Sequence, residues 1–385
     1  MNEQDVRTLL DDLAHTPAPP SQVDVQHAVT TVKRRRRVQA VTSAAASVLV
    51  VGLAAGVTYS LIGQSPGNTN SPGSPATLTA AAPVTSAPQR FDPLVQYASY
   101  GWLPEQETLT WRSTSISGEQ FTLNAQKYVP DPANGPNAAL PAAFVGVQLY
   151  AAGVVPQTEK PFEVTTPAGK ETMHYGPVTD APAVNGAPAY WVGAPGDPET
   201  TILKWRYAPD AWAELFSARL SGDQRAVLHR IASELTVGGT ERLRFPFQVT
   251  NLPADQRPTA SAVEEGGPNW PWHASLDLDA GTDGQEPGLS VAVHPATDDS
   301  ESRGPNTTVD NHPARRDTVE GDHLGRPEYS DRLHVFDVAG LQVNLIIDAK
   351  TAAGAAPLGP DGVLGVYRNV TVHPDRADWT DQPLR

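Results

Sequence analysis

The ten histidines are the side chains of this sequence with the widest chemical use, because a neutral imidazole binds transition metals and also transfers protons near neutral pH. None of them stands in H-E-x-x-H or in another zinc-binding spacing. Five fall in one stretch of the chain and could converge in space: His294, His312, His323, His334 and His373. Surface or hairpin positions without a metal are the favoured interpretation, so no metal ligand is predicted.

A second candidate is a set of carboxylates spaced like a calcium loop: Asp277, Asp279, Asp283 and Glu286. The EF-hand loop requires Asp or Asn at its fifth position and Gly at its sixth, where this chain has Gly281 and Thr282. A polar turn between two strands is therefore favoured over a calcium site.

Residues 63–67 (GQSPG) match the G-x-S-x-G pattern of a nucleophilic serine, which works only on a strained turn between a strand and a helix. They lie in a segment rich in Pro, Gly and Ser, so the match is attributed to chance. No carboxylate pair, Ser/His/Asp set or phosphate-binding glycine loop stands out from the rest of the sequence. We predict no catalytic residue and no cofactor, and a tethered hydrolase remains the third functional hypothesis.

Trp270 and Trp272 form a compact aromatic pair around Pro271. Exposed indole rings could stack on sugar rings of the cell wall, which would make these two residues ligand contacts. Burial in the core is the competing interpretation, because large rings contribute strongly to the stability of a sheet protein.

The charge is distributed unevenly along the chain. Of 28 basic and 43 acidic side chains, six and five lie in residues 1–37, which leaves 22 and 38 for the remainder. Such an acidic surface repels phosphate backbones, so nucleic acid is excluded as a direct ligand. The absence of cysteine excludes disulfides, thiolate metal sites and a cysteine nucleophile.

Residues 38–62 form an uncharged run of 25 residues. As a helix this run would be about 37 Å long, enough to cross a hydrocarbon core of about 30 Å. Five cations precede it and place the N-terminal side in the cytoplasm: Lys33, Arg34, Arg35, Arg36 and Arg37. The sequence predicts a single-pass protein of the cell membrane, in contact with lipid through residues 38–62. A cleaved signal peptide is the alternative.

Gly52 and Gly56 stand four residues apart in this run and could form a homodimer contact, although general Ala and Gly richness is the simpler explanation. The following segment, 63–90, is predicted to be a disordered Pro/Gly/Ser linker, because it has no apolar periodicity.

The cytoplasmic tail, residues 1–37, contains two apolar stripes with helical spacing. The stripes comprise Val6, Leu9, Leu10 and Leu13, then Val25 and Val29. Helices this short cannot bury their own apolar faces. Either a cytoplasmic protein covers the stripes, or the tail lies weakly ordered at the membrane surface; both interpretations stay open.

The remainder is predicted to be an α+β domain that consists of two diverged units, 91–240 and 241–378, each an antiparallel sheet covered by a helix. In the first unit, alternation over 201–217 predicts a hairpin, and Ser221 opens a capping box before an amphipathic helix. In the second unit, 333–347 predicts another hairpin. The polar stretch 298–331 is predicted to be a long mobile loop.

The layout resembles a group of actinobacterial single-pass membrane proteins encoded near extracytoplasmic-function sigma factors. The similarity rests on LLDDL (9–13), PAPPS (17–21), the basic block 33–37, NGAPAY (185–190), LKW (203–205) and IASEL (231–235). It implies a tail that binds a sigma factor and an outer domain that senses the envelope. Because the tail has no cysteine, the zinc-binding type of anti-sigma domain is excluded.

The favoured functional hypothesis is a membrane-anchored signalling protein with an extracytoplasmic binding domain and a partner-binding tail. The alternative is an envelope binding module, for glycan or protein, whose tail is only an anchor.

Overall fold

The computed structural model describes residues 84–385, except 105–108, 131–138, 167–168, 195–200, 268–269, 281–287, 297–303 and 324–325. The predicted cytoplasmic tail, the run 38–62 predicted to be a membrane helix, and residues 63–83 of the predicted linker lie outside these residues. In the described part of the chain, no helix is long and apolar enough to cross a membrane.

The described chain is built mainly from β-strands. The strands are β1 Val95–Tyr100, β2 Trp111–Ser117, β3 Gln120–Pro130, β4 Ala139–Tyr150, β5 Phe162–Thr166, β6 Gly169–Met173, β7 Val178–Val184, β8 Ala187–Gly193, β9 Thr201–Ala208, β10 Ala211–Ala218, β11 Leu235–Arg242, β12 Phe247–Val249, β13 Gln256–Glu265, β14 Trp272–Ala280, β15 Gly288–Pro295, β16 Thr307–Val309, β17 His312–His323, β18 Arg326–Val338, β19 Leu341–Ala349 and β20 Val370–Val372. The α-helices are α1 Gln224–Glu234, α2 Ala352–Ala355 and α3 Val363–Tyr367.

Fourteen strands form one antiparallel sheet, in which two sets of seven strands have the same order. From its centre outward, the first half runs β2-β3-β4-β10-β9-β8-β7, and the second half runs β13-β14-β15-β19-β18-β17-β16. The two halves have the same strand order and meet where β2 pairs with β13, with Ser113 opposite Glu264. Three two-stranded ribbons, β1-β11, β12-β20 and β5-β6, complete the described strands.

The predicted fold class, an α+β domain of two diverged antiparallel sheet-plus-helix units, is therefore wrong, because the described chain is mainly β-strand and fourteen strands belong to one sheet. A single continuous sheet runs through both halves, because β2 and β13 pair with each other and satisfy backbone groups that would otherwise be free edges. The alternation of apolar and polar residues predicts a strand, but it does not predict which other strand will pair with it.

Two local predictions have different outcomes. Strands β9 and β10 and helix α1 lie where the sequence pattern predicts them, although the helix is capped by Asp223 and not by Ser221. The stretch 298–331, predicted as a mobile loop, contains β16, β17 and the first residues of β18. Opposite charges stabilise this polar strand pair, since Arg316 of β17 forms an ion pair with Asp331 of β18 at 2.8 Å.

The apolar core lies on one face of the sheet. In the first half, Leu203 and Leu215 are fully buried beneath Leu228 and Ile231 of α1. In the second half, α3 contributes Val363, Val366 and Tyr367 to the same core, so a five-residue helix replaces the eleven residues of α1. Each fully buried Leu or Ile side chain contributes about 2 kcal/mol.

Candidate functional site

The opposite face of the sheet carries polar side chains at equivalent positions in the two halves. Glu214 is the fourth residue of β10 and lies beside Lys204 of β9. Asn344 is the fourth residue of β19 and lies beside His334 of β18. Both positions are almost inaccessible, with exposed fractions of 2% for Glu214 and 4% for Asn344. Buried polar groups of this kind need hydrogen-bond partners, and the two halves supply different ones.

In the first half these partners form a carboxylate network, which comprises Tyr150, Thr158, Glu159, Lys204 and Glu214. The Tyr150 hydroxyl donates to Glu214 Oε2 (2.7 Å), and the Thr158 amide donates to Glu214 Oε1 (3.2 Å). Lys204 forms an ion pair with Glu159. Burial raises the pKa of Glu214. Through Thr158 and Glu159, the network holds the turn at 157–159 against strands β9 and β10.

In the second half the polar groups on this face of the sheet form a histidine cluster, which comprises Trp270, His273, His294, His334 and Asn344. The Nδ1–H of His294 donates to the Pro295 carbonyl (2.9 Å), and its Nε2 accepts from Asn344 Nδ2 (3.3 Å). The Oδ1 of Asn344 accepts from His334 Nδ1 (2.8 Å). The Trp270 ring packs on His294, with 4.6 Å between ring centroids.

The imidazoles of this cluster are held neutral. Burial, with a smaller contribution from the nearby His294, lowers the pKa of His273 to about 3. Burial likewise lowers the pKa of His294 to about 4, against the opposing effect of the Pro295 hydrogen bond. Burial also lowers the pKa of His334. Within the described residues, no three His, Cys, Asp or Glu side chains are grouped so that they could hold a metal ion.

A cleft lies at the outer edge of the second half, between the last strands of the sheet and α3. We call it the edge cleft; its volume is about 800 Å³. Most of its lining is polar, and it comprises Asn306, Thr307, Thr308, Val309, Asp310, Arg316, Thr318, Leu364 and Arg368. Hydroxyl, amide, carboxylate and guanidinium groups together suit a ligand with several hydrogen-bonding groups.

Arg316 is fixed before any ligand enters the edge cleft. Its Nε and Nη2 donate to Oδ1 and Oδ2 of Asp331 at 3.0 and 2.8 Å. The Asp331 side chain is 1% exposed and also accepts from the backbone amide of Val363, at the start of α3. The hydrogen bonds to Asp331 raise the pKa of Arg316. Asn306 in turn accepts from the backbone amide of Arg316 and donates to its carbonyl.

Arg368 is the more accessible cation of the edge cleft, and its exposed ion pair with Asp361 has a 3.2 Å separation. The lining also supplies the Asp310 carboxylate and the hydroxyls of Thr307, Thr308 and Thr318, so that both signs of charge and several hydrogen-bonding groups face the cleft.

The structure separates the two tryptophans predicted as ligand contacts. Trp270 packs on His294, whereas Trp272 packs edge-on against Trp379, with 5.0 Å between centroids. Successive residues of a strand point to opposite faces, so Trp272 and its neighbour His273 lie on different sides of β14. Of the five histidines that could converge, His294 and His334 both hydrogen-bond to Asn344. The remaining predicted site residues, Lys33–Arg37, Gly52, Gly56 and the tail stripes, lie outside the described residues.

Sequence reasoning missed Arg316, Asp331 and Asn344. The first two fall in the stretch predicted as a loop, and a loop has no strand register that would place them next to each other. Asn344 is the single polar residue within the apolar stretch 343–347, VNLII. A buried amide at such a position requires partners, and this signal could have pointed to the cluster.

Comparisons with known proteins give little. No known protein family matches the chain, and no curated protein matches it. One similar solved structure is MucB in complex with MucA(peri), with a TM-score of 0.22 and 10% identity, covering 70% of this chain and 95% of that chain. Another is the MucA/MucB complex of Pseudomonas aeruginosa, with a TM-score of 0.21, 10% identity and the same coverages. Likeness at this level supports no argument about this chain.

Proposed function

We propose that residues 84–385 form an extracytoplasmic binding domain, which takes a polar ligand in the edge cleft and belongs to a protein that regulates a cytoplasmic partner. The observation that carries the proposal is the preorganised guanidinium of Arg316, held by a buried carboxylate at the border of an open polar cleft. Binding sites commonly combine such fixed polar groups with a concave surface.

The location outside the cytoplasmic membrane is proposed from the order of charges in the sequence. The basic block Lys33–Arg37 precedes the uncharged run 38–62, and the described residues follow it. The net negative charge of the remainder is compatible with a domain that does not bind nucleic acid.

A sigma factor is the proposed partner of the tail. The apolar stripes at 6–13 and 25–29 and the resemblance stated above support it. The absence of cysteine limits the proposal to a binding mode without zinc.

The cleft is tested by equilibrium binding of the full chain to isolated cell-wall polysaccharide. We expect Arg368→Ala and Thr318→Val each to weaken binding at least several-fold, because both remove donors that line the edge cleft. The matched control is Arg257→Ala, which removes an exposed arginine at the start of β13. Equal binding by all three variants and the unmodified chain would exclude the edge cleft as the binding site.

The tail is tested by co-purification of the full chain with a sigma factor produced in the same cells. We expect Leu9→Asp with Leu10→Asp to abolish retention, since both residues lie on the first stripe, while Gln4→Asp retains it. If the double variant is retained as well, the first stripe is not the contact; if the unmodified chain retains no sigma factor, the regulatory role is contradicted and the alternative, an envelope binding module with a passive anchor, is favoured.

A further inference from the structure

The histidine cluster has a hydrogen-bond pattern that cannot accept an additional proton. Asn344 directs its Nδ2 donor at His294 Nε2, while its Oδ1 accepts from both His334 Nδ1 and Gln342 Nε2 (2.8 and 3.0 Å). A proton on His294 Nε2 would place a donor against the donor of Asn344. Rotating the amide by 180° would satisfy His294, but it would turn Nδ2 towards the other two donors. While His334 carries its proton on Nδ1 and Gln342 presents Nε2, neither orientation of the Asn344 amide pairs every donor with an acceptor once His294 Nε2 is protonated.

Water also has little access to the cluster, so a positive charge on His294 would not be solvated. His294 is 3% exposed, and Trp270 stacks on its ring. His273 lies opposite His294 on β14, with a buried Nδ1 that has no hydrogen-bond partner among the described residues. A second imidazolium there would repel the first.

We propose that the histidine cluster makes the second half of the sheet acid-sensitive: protonation of His294 breaks the hydrogen bonds of Asn344 and opens β14, β15, β18 and β19 locally. The proposal does not depend on what the edge cleft binds.

The charged groups around the cluster act in both directions. From β17 and β18, Arg315 and Arg332 oppose a proton on His334, while Asp317 favours one. On β13, Glu264 is the cross-strand neighbour of His273. Burial raises the pKa of Glu264 to about 7, so this carboxyl takes up a proton in the closed state as the pH falls. Glu264 therefore opposes opening in acid, whereas the imidazoles promote it.

The sizes of these effects follow from linkage. An imidazole that regains its ordinary pKa on opening raises the opening constant by about 25-fold between pH 7 and pH 5. Glu264, if released to its ordinary pKa, lowers the constant by about 40-fold over the same range. If His273 and His294 are both released, the opening constant therefore rises by about 15-fold between pH 7 and pH 5, even with Glu264 present. A Glu264→Gln variant should show a much larger rise.

The test is hydrogen–deuterium exchange of the full chain at pH 7 and pH 5, corrected for intrinsic exchange rates. We expect exchange in peptides of β14, β15 and β19 to rise at least tenfold in acid, and that of β9 and β10 to rise less than twofold. His294→Gln keeps an acceptor for Asn344 but does not titrate, so the ratio between the two pH values should fall about 25-fold, from about 15 to about 0.6, and the rise should disappear. The readout is the ratio of exchange rates at the two pH values. A variant that is destabilised equally at both pH values therefore leaves this ratio unchanged.

Two further variants complete the test. Asn344→Asp gives His294 and His334 an anionic acceptor in place of the amide, so the rise in exchange at pH 5 should vanish. His174→Gln removes an exposed histidine of the first half and should behave like the unmodified chain. An acid response that is unchanged in His294→Gln, or that is equally reduced in His174→Gln, would overturn the proposal.

Discussion

The two halves of the sheet repeat one strand order but place different chemistry at the same position. Lys204 and Glu214 in the first half are replaced by His334 and Asn344 in the second. Tyr150 of β4 and His294 of β15 are equivalent as well, since each lies two residues beyond the cross-strand partner of Glu214 or Asn344. The first site contains a carboxyl whose pKa is raised, and the second contains imidazoles whose pKa values are lowered.

This difference gives the halves opposite responses to acid. A carboxyl with a raised pKa in the folded chain contributes most stability at low pH, and this contribution is lost as the pH rises through its folded pKa. An imidazole with a lowered pKa contributes stability that is lost as the pH falls below its ordinary value. Topology fixes where a buried polar network forms, whereas side-chain identity decides the sign of its proton linkage.

The largest expected effect is on the second half. Asp331→Ala should lower the free energy of unfolding by about 3–5 kcal/mol, because it leaves Arg316 without its buried partner and removes the acceptor at the start of α3. Urea denaturation of the full chain measures this loss. Asp361→Ala, which breaks an exposed ion pair, should cost less than about 1 kcal/mol. Similar losses in the two variants would contradict the assigned role of Asp331.

The helices of the two halves offer the next comparison. Leu228→Ala should cost about 2–5 kcal/mol, because this fully buried side chain of α1 leaves a cavity against the sheet. Leu364→Ala on α3 should cost about 1 kcal/mol, since Leu364 is only partly buried. Thermal unfolding of both variants checks the order. A larger loss for Leu364→Ala would mean that α3 carries more of the core than its length indicates.

The opposite pH responses can be separated by Glu214→Gln. The unmodified chain should lose stability as the pH rises through the folded pKa of Glu214, and the variant should lose less over the same interval. Denaturation midpoints between pH 4 and pH 8 provide the measurement. If the slope against pH is the same in both chains, Glu214 does not titrate differently in the folded and unfolded states.

The smallest effect concerns the cap of α1. Asp223→Ala should cost about 1 kcal/mol, because Oδ1 accepts from the backbone amides of Arg225 and Ala226 at 3.1 and 3.2 Å. Ser221→Ala, at the position predicted from the sequence, should cost less. Chemical denaturation resolves the two, and the reverse order would restore the predicted cap.

Local elements could be predicted where one segment contains the whole signal. Alternation across 201–217 predicts β9 and β10, and the spacing of Leu228, Ile231 and Ala232 predicts α1. The polar strands β16 and β17 could not be predicted in this way, since their stability comes from neighbours on other strands, such as the Asp331 carboxylate that pairs with Arg316. The edge cleft was missed for the same reason: Arg316 becomes a binding group only through Asp331, fifteen residues later.

The sequence alone determined the absence of cysteine chemistry, the acidic character of residues 38–385 and the periodicity of the strongest elements, because these properties depend on composition or on neighbours along the chain. Only the tertiary structure decided that seven strands join seven others through β2 and β13, that His294 and His334 meet at Asn344, and that Trp270 and Trp272 have different partners. Strand pairing and burial bring together residues distant in sequence, and the pKa and hydrogen bonding of a side chain follow from those contacts.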